Sequence, residues 1–275
     1  RRRRRDCSPP CRPMPDVGVR MMRIAVLGVG SVGGVLVGAL ADTEVGLLCV
    51  SRGGTASSLR VGLVVHTPEG AIEMVSPDRY DVLDSEEGPV PDVHVGTCDV
   101  AIIAGKAVTT PILASLAEEV LSPGGLAISI QNGLGHAETL AHRIGRKRVL
   151  GGSTTHSAWK DGDGSVHWSG RGVVELGQLD GSGMAGVSKE LYDALEAAGL
   201  IPKWSSDIQS VIWRKLLINV AINPVCAIAG VRNGALAQVP ELWEQSIEAM
   251  REAELVARAA GIDVGDGDTE DYLRK

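Results

Sequence analysis

Three polar side chains interrupt the apolar stretch "WRKLLINVAINP", from Trp213 to Pro224. Lys215, Asn219 and Asn223 fall at i, i+4 and i+8, so on a helix they drift only about 80° around the axis and line one stripe. The flanking Leu216, Leu217, Ile218, Val220, Ala221 and Ile222 suit a buried helix. A buried lysine is costly unless something pairs with it. The plain reading is a snorkelling lysine with two asparagines satisfying helix-end groups.

A second set of residues suits phosphate. Gly28-Val29-Gly30-Ser31-Val32-Gly33 is a G-x-G-x-x-G placed directly after a strand-like run and at the start of a helix-like one, the context of a dinucleotide-binding loop rather than of a plain strand–helix turn. Gly28 permits the tight turn, Gly30 leaves room for a pyrophosphate, and Gly33 lets helix and strand pack closely. The helix start offers N–H donors and a partial positive charge. An NAD site tends to place an acid about 20 residues after the glycines, at the end of the second strand. That end reads Cys49-Val50-Ser51-Arg52, without an acid. The Arg52 guanidinium and the Ser51 hydroxyl suit a 2′-phosphate, which favours NADPH; an exposed surface arginine is the alternative. Lys106 ends "DVAIIAGK", and Gln131 and Asn132 end "LAISIQNG", at strand ends where a nicotinamide is expected and where a lysine and a fixed amide are useful beside a carboxylate or carbonyl substrate; the alternatives are a solvent-exposed lysine and a turn-forming asparagine before Gly133. His156 is expected in a structural or rim role. His66, His94, His136, His142 and His167 show no metal spacing, and no metal is expected.

The elements that must hold these residues follow from periodicity. "RIAVLGVGSVGGVLVGALA", "EVGLLCVSR", "DVAIIAGKA" and "LAISIQNG" are short apolar runs ending in glycine or polar residues. "TPILASLAEEVLSPGG" has helical spacing and a Pro-Gly stop. Apolar strands separated by helices predict a Rossmann-type parallel sheet with helices on both faces, spanning residues 22–205. After about Asp207 the strand signal disappears. "SIEAMREAELVARAAG" is an amphipathic helix with an apolar stripe through Ile247, Met250, Ala253, Leu255 and Val256. The fold class expected is therefore α/β, with an all-helical second domain over 206–275 that binds substrate and pairs copies of the chain into a homodimer.

Composition narrows the function class. The chain has 275 residues, 44% of them hydrophobic, with no Phe, so its core must be Val, Leu, Ile and Ala. A net charge of -7 argues against a nucleic-acid partner. Five cysteines (Cys7, Cys11, Cys49, Cys98, Cys226) without paired zinc spacing read as reduced and cytoplasmic. No window holds an uninterrupted apolar run long enough for a membrane span. The N-terminal "RRRRRDCSPPCRPMPDVGVR" lacks the apolar core of a secretory signal. Residues 1–21 are expected to be a disordered tail, or sequence upstream of a start at Met21 or Met22.

These pieces, in order, resemble the ketopantoate reductase (2-dehydropantoate 2-reductase) family: "RIAVLGVGSVGG", the arginine after the second strand, "AIIAGKAVTT", "ISIQNGLG", "GGSTTHSAWKDGDGSVHWSGRG" and "DIQSVIWRKLLINVAINPVCAI". The resemblance runs from about Met22 to Gly230. It implies reduction of a 2-keto acid, ketopantoate, to pantoate by NADPH, on the route to pantothenate and coenzyme A, with the substrate held between the two domains. It implies that Lys215 is the catalytic lysine and that Asn219 and Asn223 line the substrate site. Lys106 and Asn132 would stand between cofactor and substrate, and Gly28 to Gly33 with Arg52 would hold the cofactor. Family members carry further helices beyond the position of Tyr272, bringing a serine for the substrate carboxylate and a glutamate near the cofactor ribose. The sequence ends at Lys275 and is expected to be incomplete there. Residue spacing leaves two other readings open: a dehydrogenase of the same architecture acting on another 2-keto or 3-hydroxy acid, and a non-catalytic NADPH-binding regulator.

Overall fold

The computed structural model describes residues 21–265. The arginine-rich tail, Cys7, Cys11 and the segment around Tyr272 lie outside the described residues. The chain runs β1 (Arg23–Leu27), α1 (Ser31–Ala41), β2 (Gly46–Ser51), α2 (Gly53–Leu59), β3 (Leu63–His66), β4 (Ile72–Val75), β5 (Asp81–Asp84), β6 (Cys98–Ile103), α3 (Thr110–Val120), β7 (Leu121–Ser129), α4 (His136–Ile144) and β8 (Val149–Thr154). It continues through β9 (Ser157–Lys160), β10 (Val166–Gly170), β11 (Val174–Gln178), α5 (Val187–Ala197), β12 (Pro202–Trp204), α6 (Ile208–Ala229) and α7 (Pro240–Ala259). This is an α/β fold with a mostly parallel sheet in its N-terminal part and helices alone after β12 among the described residues.

Eight strands form the main sheet in the order β12-β11-β8-β7-β6-β1-β2-β5. It is parallel from β8 to β5, but β11 runs against β8 and β12 follows β11, so the all-parallel expectation fails at that edge. The central β1 is buried on both faces: Ile24, Ala25, Val26 and Leu27 are all fully buried, which is why it reads as a continuous apolar run. The chain builds outward from β1 to β2 and β5, then returns to the other side of β1 to add β6, β7 and β8. That reversal opens a crevice outside the carboxyl ends of β1 and β6. One face of the sheet packs on α1 and α5; the other packs on α3, α4 and the first turn of α6.

A second sheet, β4-β3-β10-β9, was not expected. It packs on α1, where Gly34 and Gly38 leave space. A Cβ at Gly34 would fall 2.6 Å from Val166 Cγ2, and one at Gly38 2.9 Å from Val65 Cγ2. "SPGG", expected to stop α3, instead opens β7: the helix ends at Val120 and the strand begins at Leu121, with a register shift against β6.

The helical part differs from expectation in its burial. α6 is long and apolar enough, by length and composition, to cross a membrane. Its first turn instead enters the sheet's core through Ile208 and Val211, and Leu217 and Ala221 pack on Met250 and Ala257 of α7. Leu216, Ile218, Val220 and Ile222 are only half-buried, because α7 covers one side of the helix. On α7 the stripe is Ile247, Met250, Ala253 and Ala257; Leu255 and Val256, counted into it from sequence, are exposed because they fall outside the 3.6-residue repeat.

Candidate active site at the carboxyl edge of the sheet

The glycine loop leaves β1 at the crevice. Gly28 has φ +93°, and a Cβ there would lie 2.4 Å from Gly105 Cα, so the turn and its approach to β6 both require glycine. A Cβ at Gly33 would meet the Gly28 carbonyl at 2.3 Å; Gly33 serves packing and does not line the cleft. Gly30 has nothing within 4 Å of where its Cβ would be. No side chain caps α1 and no acid stands in its first turn, so the amides there are open to an anion. The Ser51 oxygen, read from sequence as a phosphate contact, accepts a hydrogen bond from the Val29 N–H at 3.1 Å and so holds the loop, while the residue also lines the cleft.

At the end of β7, Gln131 is likewise used by the scaffold. Its amide donates to the Gly105 carbonyl at 2.8 Å, and its oxygen accepts from Ser129 and Thr110 at 3.1 Å each. His136 Nε2 donates to the Asn132 carbonyl at 3.0 Å, so the Asn132 backbone is held while its side chain faces the cleft. Lys215 reaches the same point from α6. Its Nζ donates to Asn132 Oδ1 at 2.8 Å and to the Thr154 carbonyl at the end of β8. Burial holds the Lys215 pKa below the usual lysine value, and the Glu175 carboxylate opposes that shift.

The start of α6 fixes where Lys215 arrives. Asp207 caps the helix, accepting from the Ser210 N–H at 3.1 Å and from its hydroxyl at 2.6 Å. Those Ser210 bonds hold the Asp207 carboxyl below the usual aspartate range. Ile208 sits over Gly151 of β8 and Gly177 of β11, which face each other in register. A Cβ at Gly151 would lie 2.9 Å from Ile208 Cγ2, and one at Gly177 2.2 Å from the Ser205 carbonyl oxygen. This pair of glycines, missed from sequence, lets the helix approach the sheet.

One cleft of about 830 Å³ contains Gly28 to Val32, Arg52, Lys106, Asn132, Lys215, Asn219 and Asn223. Of the candidate residues only Gly33 stays outside it. Residues not singled out from sequence also line it, among them Thr55, Glu86, Thr154 and Lys160. Nothing in their local spacing marks them: Thr55 stands in the short α2, Glu86 follows β5, Thr154 ends β8 and Lys160 ends β9, and only the fold brings them together. His156 lines the cleft but is buried, with both ring nitrogens committed. Nδ1 accepts from the Gly172 N–H at 2.9 Å and Nε2 donates to the Leu200 carbonyl at 3.1 Å. Burial keeps its pKa below the usual histidine value, so it is a structural neutral imidazole. The cleft walls carry four cations, Arg52, Lys106, Lys160 and Lys215, against the one carboxylate of Glu86, in a chain of net charge -7.

An open sheet with a glycine loop at its switch point, faced by a helical part that brings in a lysine, is the architecture of a two-part dehydrogenase. The comparisons with known proteins agree. Residues 24–181 match the family described as ketopantoate reductase PanE/ApbA, and residues 207–275 match its C-terminal domain. The 2-dehydropantoate 2-reductase of Archaeoglobus fulgidus is 33% identical over 227 residues, 82% of this chain and 70% of that one. The structure of 2-dehydropantoate 2-reductase from Geobacter metallireducens superposes with a TM-score of 0.78 at 24% identity, covering 92% of this chain and 81% of the other. A ternary structure of D-mandelate dehydrogenase with NADH and anilino(oxo)acetate gives 0.80 at 22%, covering 92% and 78%. The chain belongs to the ketopantoate reductase family and is an oxidoreductase of that kind.

Proposed function

We propose that the protein reduces ketopantoate to pantoate with NADPH, with Lys215 as the general acid. The observation that carries this reading is the position of Lys215: a half-buried ammonium from α6, held at the sheet's carboxyl edge by Asn132 and Thr154, in the same cleft as the glycine loop. The residues present fit the cofactor, because the space at Gly30 and the uncapped start of α1 form a cradle for a pyrophosphate. We assign residues 22–205 to cofactor binding, through Gly28, Val29, Gly30, Ser31, Val32, Lys106, Asn132 and Arg52. Residues 206–275 supply the proton donor. When bound, NADPH supplies a hydride to C2 of the keto acid. The chain does the rest. Lys215 stabilises the negative charge that builds on the keto oxygen and gives it a proton, and its lowered pKa eases that transfer. Asn219 and Asn223 hydrogen-bond the substrate's other oxygens, and Lys106 stands opposite with a further positive charge.

Arg52 supports NADPH over NADH: it follows β2 directly, its guanidinium has no hydrogen-bond or ion-pair partner among the described residues, and no acid stands in the stretch before it. The test is turnover of ketopantoate with each cofactor in the native chain and in Arg52→Ala. The native chain should prefer NADPH, and the variant should lose about 1–3 kcal/mol of NADPH binding and little of NADH. Equal use of both by the native chain contradicts the assignment. A second reading, a dehydrogenase for another 2-hydroxy acid, is favoured by the close superposition on D-mandelate dehydrogenase. It is separated from the first by comparing kcat/KM for ketopantoate and for the keto acid related to mandelate. We also place the protein in the cytoplasm as a homodimer joined through its helical part, where Ile228, Leu255 and Val256 are exposed; light scattering checks the assembly.

A further inference from the structure

Lys160 has no role in the reading above, yet its surroundings are specific. It ends β9, the edge strand of the small sheet, and side chains alternate along that strand. Trp159 points to the outer face, where it stacks on His167 with ring centroids 3.9 Å apart. Ala158 and Lys160 face the cleft instead. The Lys160 side chain extends toward α2: a Cβ at Gly164 would lie 3.7 Å from Lys160 Cε and 3.8 Å from Ser58 Oγ. Helix α2, "GGTASSL", contains no acid, and its Thr55 lines the cleft with Lys160. Of the carboxylates next to it in sequence, Asp161 binds His167 through Oδ2, its buried Oδ1 having no hydrogen-bond partner, and Asp163 accepts from the Ser165 N–H; Glu86 is the one carboxylate of the cleft lining. Among the described residues the ammonium has no hydrogen-bond or ion-pair partner. Burial alone lowers its pKa. An ammonium drawn out of water without a counter-ion is a cost that a bound anion would offset.

We propose that Lys160 is a second phosphate-recognising cation of the cleft, which acts with Arg52 to select a dinucleotide phosphorylated on its adenosine ribose. This rests on the NADPH reading. The pyrophosphate is already served by the glycine loop and the open amides of α1. Lys160 instead reaches the helix that follows Arg52, and the ribose 2′ position is expected at the end of β2.

The experiment is calorimetric titration of the full chain with NADPH, NADH, adenosine 2′,5′-bisphosphate and adenosine 5′-monophosphate. It is run on the native protein, Lys160→Gln and Lys160→Arg, with melting curves to verify folding. Lys160→Gln should lose about tenfold or more in affinity for NADPH and the bisphosphate, the loss of one charge-assisted contact, and change little for NADH and the monophosphate. Lys160→Arg should keep the preference. Equal losses for both nucleotides would place Lys160 at the shared 5′-phosphate or in the scaffold and overturn the proposal, as would no loss at all. A native chain that prefers NADPH, with a Lys160→Gln variant that prefers it equally, overturns the role of Lys160 alone. A native chain with no preference overturns this role together with the NADPH reading.

Discussion

Lys215 is the proposed general acid, and its environment makes a prediction about pH. Burial lowers its pKa and Glu175 partly restores it. A general acid must be protonated to act, so kcat should fall as pH rises through that lowered value. Removing the opposing charge with Glu175→Gln lowers the pKa further, so the fall should begin at lower pH than in the native enzyme. A limb that stays put or moves upward would show that another group delivers the proton. The stripe of Lys215, Asn219 and Asn223 was legible from spacing alone, because helical periodicity puts i, i+4 and i+8 side by side whatever surrounds them. What holds Lys215 was not legible: Asn132 lies 83 residues away and Thr154 61, and no local pattern encodes such pairings. Ser51 and Gln131 show the converse. Their position at strand ends was right, but the Gln131 amide is tied to the Gly105 carbonyl and the Ser51 oxygen accepts from the glycine loop.

At the scale of elements, α6 brings Lys215 to the carboxyl edge of the sheet, and its seating is set by a cap and a socket. Asp207→Ala should cost about 0.5–2 kcal/mol of stability, measured by urea unfolding. The native carboxyl has a lowered pKa, so its contribution is present above the ordinary aspartate range and is lost as pH falls through the native value. The difference between the native chain and Asp207→Ala should therefore shrink in acid; a gap independent of pH contradicts the cap's charge. Gly177→Ala pushes a methyl against the Ser205 carbonyl beneath the start of α6. Overpacking there should cost about 1–3 kcal/mol and lower turnover while NADPH affinity holds, because the glycine loop is untouched. Unchanged turnover would mean that the seating of α6 does not position Lys215. The central apolar strands and α1 were readable because burial on both faces leaves a continuous apolar run. The small sheet was not, since β3 and β4 have four residues each and β3 pairs with β10, about a hundred residues on. The glycines that seat α1 and α6 look like any others until the neighbouring side chains are in place.

For the molecule as a whole, the distribution of charge matters more than its total. An acidic chain gathers four cations around one cleft, which suits a ligand with several phosphates and a carboxylate. NADPH affinity should then weaken steadily between about 0.05 and about 0.5 M salt, as screening shortens the reach of those charges. A salt-independent dissociation constant would argue that shape alone holds the cofactor. In the proposed function the work is divided between two halves: the sheet and its glycine loop bind the cofactor, and α6 delivers the proton. Lys215→Ala separates the two most directly, with NADPH binding followed by fluorescence and ketopantoate reduction followed by NADPH absorbance. NADPH affinity should stay nearly native and turnover should fall by about 100-fold or more. Native turnover in Lys215→Ala, or loss of cofactor binding in step with activity, would contradict that division.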